Sequence, residues 1–288
     1  MDLKELDLQY SPSRWSKRFE AERVIEEHMK IAEKASEEAK SSIPVEIGVQ
    51  YGAKDGEKLD IFGGDYIPAG APILAYVHGG YWQSLDRSIS SYFVKPLFTS
   101  GICTVVVGYD IAPKAKMGEI IQEIRNAAEF ILKMAVNLGS KSVWFAGHSA
   151  GAHLCSTLLA RDWIESLQTN QRDLLKGLVL ISGVYDLTPL INTYVNDPLG
   201  MTREDAEEYS PSLWNESIIT QNVQVIIAVG QHDSPEFQRQ SKEFYDKLVF
   251  KGNVAEYFLI PDVDHFDIVE KLNDCRFELT VKICNLLK

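Results

Sequence analysis

The hydrophobic positions of the chain follow two rhythms. Pro72-Ile73-Leu74-Ala75-Tyr76-Val77, residues 103–109, Leu178-Val179-Leu180-Ile181-Ser182 and residues 223–229 are apolar almost without interruption, the mark of strands buried on both faces. Val45, Ile47, Val49 and Tyr51 instead alternate with Glu46, Gly48 and Gln50, the period of a half-exposed strand. After the turn Gly52-Ala53-Lys54-Asp55-Gly56, Lys58-Leu59-Asp60-Ile61-Phe62 returns as its antiparallel partner at a sheet edge. Residues 142–145 and 254–260 complete eight strands. Between them the helical rhythm takes over. Residues 119–138 carry apolar side chains at 120, 121, 124, 127, 128, 131, 132 and 135, which predicts a helix lying on the sheet. Further helices are expected at 90–100, 152–167 and 268–287, and one from Ser234-Pro235 to Gly252. Strands mostly separated by helices predict an α/β chain with one mostly parallel, doubly wound sheet.

Two stretches fall outside that alternation. Residues 1–40 are polar and helical, with Pro12 in a first turn and charges forming a solvated face over 22–40; His28 reads as a surface residue there. Residues 185–221 are too long for a plain connection and read as a small helical cap over the site. Tyr209-Ser210-Pro211-Ser212-Leu213-Trp214 nearly copies Tyr10-Ser11-Pro12-Ser13-Arg14-Trp15. Both copies read as Ser-Pro helix starts anchored by a tryptophan; two aromatic caps meeting over a pocket is the alternative. The whole chain, residues 1–288, is taken as one domain.

Composition narrows the function classes. The 288 residues carry a net charge of −12, which disfavours nucleic acid and anionic membrane as partners. No apolar run reaches the roughly 18 residues of a membrane span, and Met1-Asp2-Leu3-Lys4-Glu5 is no signal peptide. Cys103, Cys155, Cys275 and Cys284 match neither a disulfide framework nor a zinc site and read as buried thiols, which points to the cytosol. A nuclear fraction is left open, as is the choice between monomer and homodimer.

The chemistry is carried by Gly147-His148-Ser149-Ala150-Gly151, set between a strand and a helix. A Gly-x-Ser-x-Gly in that context is the nucleophile elbow of the α/β-hydrolase fold, with Ser149 exposed at the carboxyl end of the sheet. A serine nucleophile needs a base, and the base an orienting acid. His265 follows the last strand and Asp233 the penultimate one, in the order Ser, Asp, His that this fold uses. Asp262 and Asp264 remain rivals as the acid. A metal cluster of Asp262, Asp264, His265 and Asp267 is conceivable but has no recognised ligand spacing. His78, His148 and His153 lie too near the glycine turns to act as base, and His78 reads as a brace. The oxyanion hole is assigned to the backbone N–H of Ala150 and to the loop of Gly79, Gly80 and Tyr81. Tyr81 and Trp82 are the candidate substrate contacts. No cofactor is called for, and no metal.

With these pieces together, the chain resembles the arylformamidases, also called kynurenine formamidases, of the animal type. The resemblance rests on His78-Gly79-Gly80-Tyr81-Trp82-Gln83, residues 146–154, Ser182-Gly183-Val184-Tyr185-Asp186-Leu187, residues 232–237, Val263-Asp264-His265-Phe266 and the N-terminal 10–15 segment. It covers almost the whole chain. Tyr81 stands where related esterases carry a third glycine. The resemblance implies cofactor-free hydrolysis of N-formyl-L-kynurenine to L-kynurenine and formate in tryptophan breakdown. A general carboxylesterase on the same fold, and a catalytically silent binding protein, are the competing expectations.

Overall fold

The computed structural model describes residues 2–215 and 223–288. Its centre is an eight-stranded sheet: β1 (Val45–Gln50), β2 (Lys58–Phe62), β3 (Ile73–Val77), β4 (Cys103–Val107), β5 (Val143–His148), β6 (Leu175–Ile181), β7 (Gln224–Gly230) and β8 (Ala255–Ile260). The spatial order is β1-β2-β4-β3-β5-β6-β7-β8. β1 pairs antiparallel with β2 and β2 with β4; every other neighbour is parallel. The unbroken apolar runs are the inner strands because both faces of the sheet are covered. Along β3, Ile73, Ala75 and Val77 enter one core, and Leu74 and Tyr76 the other. The first core holds Ile120, Ile124 and Ile131 of the Met117–Leu138 helix and Phe237 and Phe244 of the Pro235–Phe250 helix; the second holds Ala32 and Ala39 of the Ala21–Ser42 helix and Leu279 and Ile283 near the C-terminus.

Two long helices expected from apolar spacing are broken. The 152–167 stretch is a helix at Ala150–Ser156, a 3₁₀ turn at Thr157–Leu159 and a separate helix at Arg161–Ser166. Ser156 Oγ donates to His153 O and Thr157 Oγ1 to Leu154 O, each at 2.6 Å, and such local bonds compete with helix continuation. The C-terminal stretch divides into Asp267–Glu270, a 3₁₀ turn and Glu278–Leu287. Asp274 Oδ1 accepts from Arg276 N at 2.9 Å, an Asx turn that redirects the chain. That turn also exposes Cys275, correcting the expectation of four buried thiols; Cys103, Cys155 and Cys284 are buried. The 90–100 helix shrinks to Val94–Thr99.

The two Tyr-Ser-Pro-Ser-x-Trp segments fold alike. Each follows a short helix, and Pro12 and Pro211 each open a 3₁₀ turn. Ser11 Oγ donates to Asp7 O and Ser210 Oγ to Ala206 O. Trp15 Nε1 donates to Leu8 O and Trp214 Nε1 to Glu208 O. The likeness is a local turn solution, and the copies lie in different places. Residues 216–221 of the expected cap lie outside the described residues; its described part consists of short turns and helices between Thr188 and Leu213.

Candidate active site

The site is built where the strand order reverses. β3 has β4 on one side and β5 on the other, and the crevice at such a switch point is where open α/β sheets hold their chemistry. Val77 pairs with Gly147, so the loop from His78 and the turn at Ser149 leave the sheet side by side. A Cβ on Gly151 would run into the carbonyl oxygen of Val77, and one on Gly79 would stand 2.9 Å from His148 O. Glycine at both positions is what lets loop and elbow meet. Ser149 itself has φ 54° and ψ −117°, a strained conformation for a side-chain-bearing residue, and its N–H is tied to Ile181 O at 2.8 Å.

His265 and Asp233 are brought together. His265 Nδ1 lies 2.7 Å from Asp233 Oδ2 with both side chains buried, and Phe237 packs edge-on against the imidazole at 4.8 Å. His148 Nε2 hydrogen-bonds His265 O at 2.8 Å. Burial, and then the neighbouring His265, holds His148 well below the usual histidine range, so it is a neutral donor that fixes the loop backbone. Asp264, although adjacent to His265, turns away: Oδ2 accepts from Ser16 Oγ at 2.6 Å and from Arg18 Nε at 2.8 Å. Asp262 is exposed and only approaches His232, at 3.8 Å. Asp267 pairs with Lys271 at 2.9 Å. Asp264 and Asp267 are thus paired with cations while Asp262 stands in solvent, and the described residues hold no group of three or more metal-type ligands that could hold an ion.

The His78–Trp82 loop is held from below. His78 stacks on Tyr109 at 4.3 Å and its Nδ1 contacts Gly79 O at 2.9 Å; burial lowers its pKa to about 4, so it braces the loop as a neutral ring. Tyr81 and Trp82 have φ of 50° and 59°, a left-handed turn that points Gly80 and Tyr81 back over the elbow. Among the described residues, neither the Gly80 nor the Tyr81 N–H finds a protein acceptor. Tyr81 Oη donates to Tyr10 O at 2.8 Å, which pins its ring.

A cavity of about 170 Å³ opens here, lined by Ser149, His148 and His265 together with Gly80, Tyr81 and Leu85 of the glycine loop and Pro12, Ser13, Ile25, His28 and Met29 of the N-terminal segment. Trp82 does not line it. Its side chain is fully buried, packed edge-on against His153 at 5.1 Å beneath the loop. The expectation of Trp82 as a substrate contact is corrected: the left-handed turn that raises Tyr81 drives Trp82 inward. Nor does the 209–214 segment reach the cavity; its Tyr209 O bonds His153 Nε2 at 2.7 Å, on the far side of Trp82. His28 is a second correction. It is 5% exposed, with Nδ1 2.9 Å from Glu270 Oε1 and its ring 5.3 Å from that of Phe266. The signal was present in the sequence: Val24, His28, Ala32, Ser36 and Ala39 form one buried stripe at helical spacing.

A fold of this kind, with the elbow serine, the buried histidine–carboxylate pair and a glycine loop facing one cavity, defines the α/β-hydrolases. Residues 59–248 match the BD-FAE family model. Over its whole length the chain is similar to solved hydrolase structures, among them a hyperthermophilic esterase from Pyrobaculum calidifontis (17% identity, TM-score 0.72, covering 100% of this chain and 93% of the other). It is 38% identical to the kynurenine formamidase of Danio rerio and 37% identical to that of Salmo salar, in both cases over 100% of this chain and 97% of the relative. The Drosophila melanogaster kynurenine formamidase is 32% identical over 93% of this chain and 92% of its own. The chain belongs to the kynurenine formamidase family.

Proposed function

We propose that this enzyme hydrolyses the formamide of N-formyl-L-kynurenine, giving L-kynurenine and formate in tryptophan breakdown, with Ser149, His265 and Asp233 as its triad. The observation that carries the reading is the 2.7 Å His265–Asp233 pair opening on the cavity that Ser149 lines, in a chain whose full-length relatives are named kynurenine formamidases. Asp233 accepts the Nδ1–H of His265, leaving Nε2 as the base. Ser149 Oγ attacks the formyl carbon as Nε2 takes its proton. The N–H groups of Gly80, Tyr81 and Ala150 receive the developing oxyanion. Collapse breaks the C–N bond, and the imidazolium returns the proton to the departing aryl amine, without which that amine is a poor leaving group. Water activated by His265 then hydrolyses the formyl ester of Ser149 to formate and free serine. A cytosolic setting belongs to the same reading, supported by four unpaired cysteines and by the absence, among the described residues, of a helix long and apolar enough to cross a membrane.

The test is formate release from N-formyl-L-kynurenine by the wild-type chain and by Ser149→Ala. Losing one triad member costs on the order of 10⁴-fold or more because the three act as a unit. Retention of a tenth of the activity would remove Ser149 from the mechanism.

A further inference from the structure

The loop that carries the oxyanion donors holds a conformation that its own backbone bonds do not explain. Tyr81 (φ 50°), Trp82 (φ 59°) and Leu85 (φ 65°) all have left-handed backbone, which is disfavoured for residues with side chains unless the surroundings fix it. Most of the loop is fixed locally. Gly80 O accepts from Gln83 N and from Ser84 N, each at 3.0 Å, and Trp82 O accepts from Ala112 N at 2.8 Å. Tyr81 differs. Among the described residues neither its N–H nor its C=O is bonded to protein. Its hydrogen bond is made by the phenol, which donates to Tyr10 O at 2.8 Å.

That acceptor is itself held firmly. Tyr10 is fully buried. Its Oη accepts from Gln240 Nε2 at 2.7 Å and donates to Glu236 Oε2 at 3.2 Å, both on the Pro235–Phe250 helix. Gln240 Oε1 in turn accepts from Tyr185 N at 2.7 Å and Asp186 N at 2.8 Å. Phe237 of the same helix packs on Tyr10, Tyr81 and His265, with ring centroids at 6.3, 6.5 and 4.8 Å. The loop also lies directly on the nucleophile, for a Cβ on Gly79 would stand 3.2 Å from Ser149 Cβ. An oxyanion donor helps only when it is aimed at the charge that develops in the transition state. The tilt of the Tyr81 peptide decides that aim, and the phenol is what ties it down.

We propose that Tyr10 is a positioning residue: its carbonyl, acting through the Tyr81 phenol, sets the oxyanion N–H, so the N-terminal segment governs transition-state binding without touching the substrate. The proposal rests on the serine-hydrolase reading above, and its test separates the two. Tyr81→Phe removes only Oη, and Tyr10 O keeps a second donor, Tyr194 Oη at 3.2 Å, so no buried acceptor is left bare. Deleting an oxyanion donor costs about 10²- to 10³-fold in kcat, and loosening one should cost about 10- to 100-fold. For N-formyl-L-kynurenine, kcat of the variant should fall by that factor while KM stays within about threefold. Inhibition by phenyl trifluoromethyl ketone, whose adduct with Ser149 carries the oxyanion, should weaken by the same factor. Affinity for L-kynurenine, measured by calorimetry, should change by less than about threefold, since the product carries no oxyanion. A purely structural role would weaken both ligands alike. Equal weakening of ketone and kynurenine, or a kcat retained within about threefold, overturns the proposal. If the wild type spares the formamide but cleaves p-nitrophenyl acetate, the formamidase reading fails, and the split of kcat from KM on the ester, with the ketone, still decides on Tyr81. A wild type that neither binds the ketone nor cleaves the ester overturns both.

Discussion

Arg18 Nε stands 2.8 Å from Asp264 Oδ2, which clamps the N-terminal segment to the residue just before His265. The same guanidinium reaches Glu270 at 2.7 Å through Nη1. The two acceptors are 2% and 7% exposed at their side chains. Arg18→Met would leave both carboxylates buried with less compensation, and breaking one side of a buried pair costs about 3–5 kcal/mol. The expected result is a matching fall in unfolding free energy, measured by urea denaturation. A loss below about 1 kcal/mol would place the pair with ordinary surface bridges.

The two aspartates that compete for His265 separate by their bonds. Asp233→Asn should keep the local shape but favour the wrong imidazole tautomer, lowering kcat by roughly 10⁴-fold, as in the serine-protease example. Asp264→Asn weakens its bonds to Ser16 and Arg18, so it should reduce stability and change kcat by less than about tenfold. Steady-state kinetics of the two variants decide the matter, and the reverse ranking would hand the role to Asp264.

Acid should destabilise the fold well before carboxylates titrate. Burial lowers the pKa values of His78 and His153 to about 4 from 6.5, and His148 is lowered too. The unfolded chain takes up these protons below about pH 6.5, whereas the folded chain refuses them until about pH 4. Stability therefore falls as pH drops through that window, by about 3 kcal/mol for each of His78 and His153. Asp264 and Glu270, lowered by their hydrogen bonds to Arg18, Ser16 and His28 against the opposing effect of burial, lose their contribution only below the ordinary carboxylate range. Urea midpoints at pH 7.5, 6 and 5 provide the check. A midpoint unchanged from 7.5 to 5 would mean that these histidines protonate without unfolding the chain.

Legibility followed the range of the interactions. The eight strands and the elbow were readable because apolar runs and a Gly-x-Ser-x-Gly turn are local patterns. The pairing of β2 with β4 and the broken 152–167 helix depended on contacts and side-chain bonds that periodicity does not encode. Loop order was enough to suggest His265 and Asp233. It could not reveal that Trp82 faces inward, since that follows from two consecutive left-handed residues, Tyr81 and Trp82. His28 was misread because a charged, exposed helix face drew the eye from the stripe it shares with Val24 and Ala32. Its partner Glu270 lies 242 residues away.

The acyl side of the site should be small. Tyr81 is pinned by its bond to Tyr10 O and lines the cavity beside Ser149 and Gly80; its left-handed backbone sits on the buried Trp82, so the loop has little room to retreat. The same cavity must also hold the aryl ketone and amino-acid end. A formyl group brings only a hydrogen to the acyl side of the reacting carbon. Each added methylene should cost about 1–3 kcal/mol where the pocket cannot expand. A series of N-acyl kynurenines from formyl through acetyl to butyryl reads this out directly as kcat/KM. Formyl should exceed acetyl by at least about tenfold, with butyryl lower still. Equal or rising values with chain length would mean that the Tyr81 loop yields, and would favour a general carboxylesterase over a formamidase.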